Sequence, residues 1–212
     1  MRLIDYSVQE FINNLDSASP APGGGSASAI SAAMGSALTR MVGHLTIPKK
    51  KFNALDETAQ NAFIDVHESL KDYQREALKL VDEDTDAFNE IMKAFKMPKE
   101  TDKEKADRKK AIKDATYKAT EVPLRLAELS YNVLYKMEII TKYGNKNAIS
   151  DVGVAALMMH SALEGAALNV KINLSSISDE TYVGDVTKKL YQYINDGKRL
   201  KEDILENVNA AL

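Results

Sequence analysis

Residues 59–95 read AQNAFIDVHESLKDYQREALKLVDEDTDAFNEIMKAF. Ala59, Phe63, Val66, Leu70, Tyr73, Ala77, Leu80, Phe88, Ile91 and Phe95 step by fours and threes, and Asp84 holds one step of the same series. That spacing keeps side chains on one face of an α-helix. It predicts one amphipathic helix of some 40 residues, roughly 60 Å long at the α-helical rise. The helix should end before Met97-Pro98-Lys99, because a residue preceding proline is pushed out of helical geometry.

The flanking segments share the helical period. Ser7 and Glu10 form a capping box ahead of an apolar face of Val8, Phe11, Ile12 and Leu15. The breaker Pro20-Ala21-Pro22-Gly23-Gly24-Gly25 precedes a second helix, expected from near Ser26 to about Leu45 and rich in Ala, Ser and Gly. Such small side chains let neighbouring backbones approach, so this helix is expected at the centre of a bundle. After the long helix, Thr101 and Glu104 form another capping box. The helix they open is charged from Asp102 to Lys110, then apolar through Ile140. Pro123 is expected to kink it and Gly144 to end it. A fifth helix is expected from about Ser150 to Leu174, and a sixth from near Asp179 through Val208. No segment alternates with the two-residue period of a strand. The expected fold is all-α: a single bundle of about six helices over residues 1–212, one of them very long, with no second domain.

The 212 residues carry a net charge of -3, so the basic excess of a nucleic-acid binder is missing. Cysteine is absent, which removes disulfides, thiolate zinc sites and a cysteine nucleophile. Met1-Arg2-Leu3-Ile4-Asp5 lacks a signal-peptide core, and no run reaches the roughly 18 apolar residues of a membrane span. The simplest expectation is a cytoplasmic protein without a membrane partner.

Four features exceed the needs of packing. Gly23, Gly24 and Gly25 running into Ser26 place free N–H groups at a helix start, which suits a carboxylate or phosphate. A tight turn with a serine cap explains them equally well. In Asp82-Glu83-Asp84-Thr85-Asp86, Asp84 interrupts the buried stripe, where a charge is costly unless paired or used. Asp86 points elsewhere by spacing, and a solvated acidic face is the default reading of the run. Asn145, Asn147, Ser150 and Asp151 open the fifth helix. They offer donors and acceptors for a heterocycle's amide edge, or simply a cap. Asn169 and Asn173, one turn apart, need partners, from another helix or from a ligand. Among weaker candidates, Lys49-Lys50-Lys51 would attract an anionic tail or form a solvated loop. His44, His67 and His160 form no H-x-x-x-H pair, and His160 with Glu164 does not make a metal site.

Several stretches together resemble the formiminotransferase-cyclodeaminase C-terminal domain family, whose stand-alone bacterial relatives include methenyltetrahydrofolate cyclohydrolases. They are residues 11–15, Pro20 to Ala29, and Met41-Val42-Gly43-His44-Leu45-Thr46. They continue with Asp84-Thr85-Asp86-Ala87-Phe88, Met97-Pro98-Lys99, Gly144 to Ala156 and Gly165 to Leu174. The resemblance spans nearly the whole chain in order. It departs at Ile47-Pro48, where a glycine before the lysines is expected. It implies an all-helical homodimer that binds a tetrahydrofolate derivative near the glycine loop and helix ends, with no metal and no redox cofactor. Nothing in these residues resembles a formiminotransferase domain, so that activity is expected from a separate partner.

The resemblance implies two chemistries. In the cyclodeaminase reaction, N10 of 5-formiminotetrahydrofolate attacks the formimino carbon and ammonia leaves. In the cyclohydrolase reaction, water adds to the cationic carbon of 5,10-methenyltetrahydrofolate and the ring opens to the 10-formyl form. Each needs a proton acceptor and a proton donor, and each involves a cationic folate that a carboxylate would stabilise. Asp84, Asp151 and Asp86 are therefore the candidate catalytic residues. Gly23, Gly24, Gly25, Ser26, Lys49, Asn145, Asn147, Ser150, Asn169 and Asn173 are the candidate binding residues. The expectation leans to the cyclodeaminase; the cyclohydrolase and a non-catalytic folate-binding scaffold are the alternatives.

Overall fold

The computed structural model describes residues 2–212. Seven α-helices run in chain order: α1 (Val8–Leu15), α2 (Gly24–Thr46), α3 (Lys50–Asn53), α4 (Glu57–Phe95), α5 (Asp102–Tyr143), α6 (Ile149–Leu174) and α7 (Glu180–Asn209). No strand occurs among the described residues. The short α3, between Pro48 and the long helix, raises the expected six helices to seven. Both capping boxes form, with Ser7 accepting from Glu10 N–H and Thr101 from Glu104 N–H. The long helix α4 is a single element of 39 residues. Helix α5 runs through the buried Pro123 as one assigned element.

Two local expectations need correction. Helix α1 buries only Phe11, and Val8 and Ile12 face outward, because just one side of this short helix meets the bundle. Helix α2 begins at Gly24 rather than near Ser26, with Gly23 as its N-cap. Ser26 is therefore inside the first turn and is not the cap.

Helix α2 packs between α4 and α6, while α5 lies against α4 and α6, and α7 closes the bundle over α5 and α6. Small residues make the α2 packing possible. A side chain at Gly35 would run into Met159, and one at Gly165 would run into Ser28, so α2 and α6 lie nearly backbone to backbone. Phe63, Leu70, Leu80, Leu134, Met159 and Leu163 fill a continuous core. No helix of the described residues is long and apolar enough to cross a membrane.

Candidate functional site

The N-terminal end of α2 meets α4 at Asp84. A side chain at Gly25 would overlap the Asp84 carboxylate, so glycine is what lets this carboxylate lie against the first turn of α2. Ser26 N–H donates to Asp84 Oδ2 at 3.0 Å. Ser26 Oγ donates to the Val81 carbonyl at 2.8 Å, and lies 3.3 Å from Asp84 Oδ2 and 3.3 Å from Thr85 Oγ1. Asp84 thus caps α2 from another helix. The anion received at the first turn of α2 is the protein's own Asp84 carboxylate.

That carboxylate has no cation beside it: Asp84 forms no salt bridge among the described residues. Burial pushes its pKa above the ordinary aspartate value, and the two Ser26 contacts partly oppose the shift. Two of the first backbone donors of α2, Gly24 N–H and Gly25 N–H, have no protein partner among the described residues. Asn169 completes the cluster. Its Nδ2 donates to Gly165 carbonyl at 2.8 Å and lies 3.6 Å from where a Gly24 side chain would begin. Its amide oxygen is left for another donor. Asn173, one turn on, donates to the Ala119 carbonyl at 2.8 Å and ties α6 to α5. Of the two readings of Asn173, the inter-helix hydrogen bond is the one observed.

The other candidates lie elsewhere. Asn145 is at the opposite end of α2, about 30 Å away by helical rise. Its N–H donates to Thr46 Oγ1 at 2.9 Å, its Nδ2 to the Leu45 carbonyl at 3.2 Å, and its Oδ1 accepts from Asn147 N–H. This asparagine fixes the α5–α6 turn to the end of α2. Asn147, Ser150 and Lys49 are exposed at that far end, and Asp151 is half-buried in the first turn of α6. Asp86 is exposed on α4 and does not join Asp84. One chain therefore unites Gly23, Gly24, Gly25, Ser26, Asp84 and Asn169, with Asn173 adjacent. It does not unite them with Asn145, Asn147, Ser150, Asp151 or Lys49.

A groove of about 880 Å³ opens beside the Asp84 end, between the end of α4, the start of α5 and the α6–α7 turn. Phe88, one turn beyond Asp84, and Asn173, one turn beyond Asn169, line it. So do Lys109, Lys110 and Lys113, which the sequence reading left out. Their signal was present as an imbalance. Residues 93–118 hold ten lysines and arginines against five aspartates and glutamates in a chain of net negative charge.

Comparison with known proteins agrees with this architecture. The family model described as formiminotransferase-cyclodeaminase matches residues 7–192. A methenyltetrahydrofolate cyclohydrolase of Methylorubrum extorquens is 37% identical over 204 residues, covering 96% of each chain. The formimidoyltransferase-cyclodeaminase of Gallus gallus is 32% identical over 93% of this chain, which spans only 38% of that protein's length. The crystal structure of a formiminotetrahydrofolate cyclodeaminase from Thermotoga maritima superposes with a TM-score of 0.77 at 27% identity, covering 98% of this chain and 96% of that one. The chain belongs to the formiminotransferase-cyclodeaminase family of folate one-carbon enzymes.

Proposed function

We propose that the chain is a methenyltetrahydrofolate cyclohydrolase, adding water to 5,10-methenyltetrahydrofolate to give 10-formyltetrahydrofolate. The observation that carries this reading is the end-to-end likeness to the Methylorubrum protein, 37% identical over 96% of both chains. It reverses the order expected from sequence, where the cyclodeaminase stood first. Asp84 suits the chemistry. A carboxylate with a raised pKa is a stronger base than an ordinary one, and no lysine or arginine competes for it. In this mechanism Asp84 takes a proton from the attacking water as the C–O bond forms. The hydroxyl adduct is neutral. Its C–N5 bond then breaks as Asp84 returns its proton to N5 and the hydroxyl releases the second proton to solvent, becoming the formyl oxygen. Gly24 N–H, Gly25 N–H and the Asn169 amide hold the polar edge of the folate.

The cyclodeaminase remains the second reading, favoured by the likeness to the Thermotoga structure, whose length this chain matches. The absorbance of the methenyl chromophore separates the two. Loss of signal from methenyltetrahydrofolate, with none gained from 5-formiminotetrahydrofolate, is the expected outcome. Gain from the formimino substrate with no loss from the methenyl one would reverse the assignment. No change with either would leave a folate-binding scaffold.

The functional unit in this proposal is a homodimer. Helix α6 is apolar nearly all round, a composition that belongs to a covered helix, yet Val154, Leu157, Leu168 and Ile172 stay exposed along one side. Met34 and Leu45 extend the uncovered apolar surface on α2. A two-fold axis near His160, midway between Asp151 and Asn169, would cover this face. It would also set Asp151 of the partner subunit beside Asn169, joining the two groups of candidates that one chain keeps apart. Sedimentation at micromolar concentration should give the dimer mass; a monomer alone would overturn this assembly.

A further inference from the structure

We propose that Asp82 is a positioning residue for folate binding: through Leu3 N–H it fastens the far end of the segment that delivers Gly23, Gly24 and Gly25 to the site. The inference rests on the folate reading above and adds to it a residue that touches neither the substrate nor the base.

Three observations carry it. Within the acidic run 82–86, Asp84 is the proposed base, Glu83 pairs with Lys79 at 3.1 Å and Arg125 at 2.8 Å, and Asp86 is exposed. Asp82 turns instead to the N-terminal segment. Its Oδ1 accepts from Leu3 N–H at 2.6 Å, and its Oδ2 lies 3.4 Å from Arg2 Nε. Its side chain is 14% exposed and has no other polar partner among the described residues. Second, the chain that leaves α4 at Leu3 returns to it at Ser26, whose N–H donates at 3.0 Å to Asp84, two positions beyond Asp82. Third, nothing polar fastens that excursion in between. Among the described residues, 4–22 form hydrogen bonds and salt bridges only within residues 2–22. Phe11 and Pro22 are buried, and Leu3, Ile4, Tyr6 and Leu15 pack partly against the core. Apolar contacts are non-directional and hold the segment down without fixing its course. The two carboxylates at its ends supply the directional contacts.

A chain held at both ends has fewer conformations than one held at a single end. With Leu3 fastened, α1 and the glycine loop are ordered before a ligand arrives, and binding does not have to order them. Without that contact the loop is fixed in direction only at Ser26, and the ligand must restrict it. The cost falls on binding rather than on proton transfer, because the start of α2 is held independently. Gly25 lies against Asp84, and Gly165 against Ser28, whatever the course of residues 4–22. Of the two contacts at Asp82, the Leu3 N–H bond is the part-buried one. The Arg2 side chain is exposed, so its ion pair is screened and adds little.

The test measures KM and kcat with methenyltetrahydrofolate, and backbone amide exchange, on the full chain. Leu3→Pro removes the donor and leaves α4 untouched. Leu3 opens a helical turn, where proline is tolerated, and Arg2 already has the extended backbone that precedes a proline. Asp82→Ala removes the acceptor from the other side. Each variant should raise KM about tenfold with kcat within about twofold of the parent, and amide exchange in α1 should quicken. Asp82→Asn keeps an oxygen for Leu3 N–H, and Arg2→Gln removes only the ion pair, so both should stay near the parent. As a control, Asp56→Ala deletes a carboxylate contact of the same kind, the N-cap of α4 that accepts from Ala59 N–H at 2.9 Å. It should lower the melting temperature and leave KM unchanged. An unchanged KM in either folded Leu3→Pro or Asp82→Ala protein would overturn the role, even if exchange quickens. So would a fall in kcat at constant KM, which would place the effect on the base, or an equal KM rise in Asp56→Ala, which would show general loosening. Turnover of neither methenyl- nor formiminotetrahydrofolate by the parent would instead sink the folate reading itself, and the positioning role with it.

Discussion

Helix α4 runs antiparallel to α2, and near each end of α2 a glycine makes room for a titratable α4 side chain. At one end Gly25 admits Asp84; at the other Gly43 admits His67, whose Nδ1 would collide with any side chain there. The steric device is the same, but the electrostatics differ. Asp84 meets the positive end of the α2 dipole, accepts from Ser26 N–H, and lies beside unpartnered N–H groups, one helical turn from the groove that Phe88 lines. His67 is 2% exposed, its Nδ1 has no partner, and it borders His44, Arg40 and Glu68. Burial alone therefore does not mark a reactive site. A buried group beside open volume and free donors has something to act on; one sealed by its neighbours does not.

The largest expected effect is at Asp84. Asp84→Asn keeps an oxygen for Ser26 N–H and removes the base, so turnover should fall about 10²-fold or more. The melting temperature should hold or rise at neutral pH, because a half-buried charge without a cation is gone. Unchanged turnover in a folded Asp84→Asn protein would make Asp84 only a cap for α2 and move the search to Asp151.

A pair of glycine variants sharpens the contrast. Gly25→Ala and Gly43→Ala insert the same methyl group at the two ends. Each should cost about 1–3 kcal/mol by overpacking, reduced by up to about 1 kcal/mol from the better helix propensity of alanine. Denaturant unfolding should find the two costs similar. Turnover per folded molecule should collapse in Gly25→Ala, which displaces the base, and be largely retained in Gly43→Ala. Equal activity losses would mean that the two ends act as one site within the chain.

How much of this was legible in the sequence depended on range. The α4 helix and both capping boxes were readable because their signals lie within one or two turns. Asp84 was readable as an anomaly, since an acid on an apolar stripe violates a local pattern. Its partner was not readable. Ser26 is 58 residues away, and only the antiparallel packing of α2 on α4 brings them together. The same limit explains why Asn145 and Asp151 looked like companions of the glycine loop. Nothing local reveals that α2 holds them a full helix length apart. The groove lysines were visible as a charge imbalance, but their convergence on one slot needed the α4–α5 and α6–α7 turns in space.

The smallest predicted effect is a difference of sign with pH. Burial depresses the His67 pKa below its ordinary value of 6.5, with His44 and Arg40 adding to the shift and Glu68 opposing it. The unfolded chain then takes up this proton at a higher pH than the native one. The stability tied to His67 is therefore intact above pH 6.5 and declines as acid is added from 6.5 down through the depressed native value. Asp84 has the opposite sign. Its native pKa is raised above 3.8, so the native carboxyl protonates first. Acidification through that raised value relieves the buried charge, a gain complete below 3.8. Subtracting variant from parent isolates each group. His67→Leu should flatten the parent's loss of stability below pH 6.5, leaving the alkaline melting temperature level or higher because an unpartnered buried nitrogen is removed. Asp84→Asn should outperform the parent most at neutral pH and lose that margin as acid protonates the native carboxyl. If both difference curves slope the same way, the two ends of α2 are not the electrostatic opposites their partners make them.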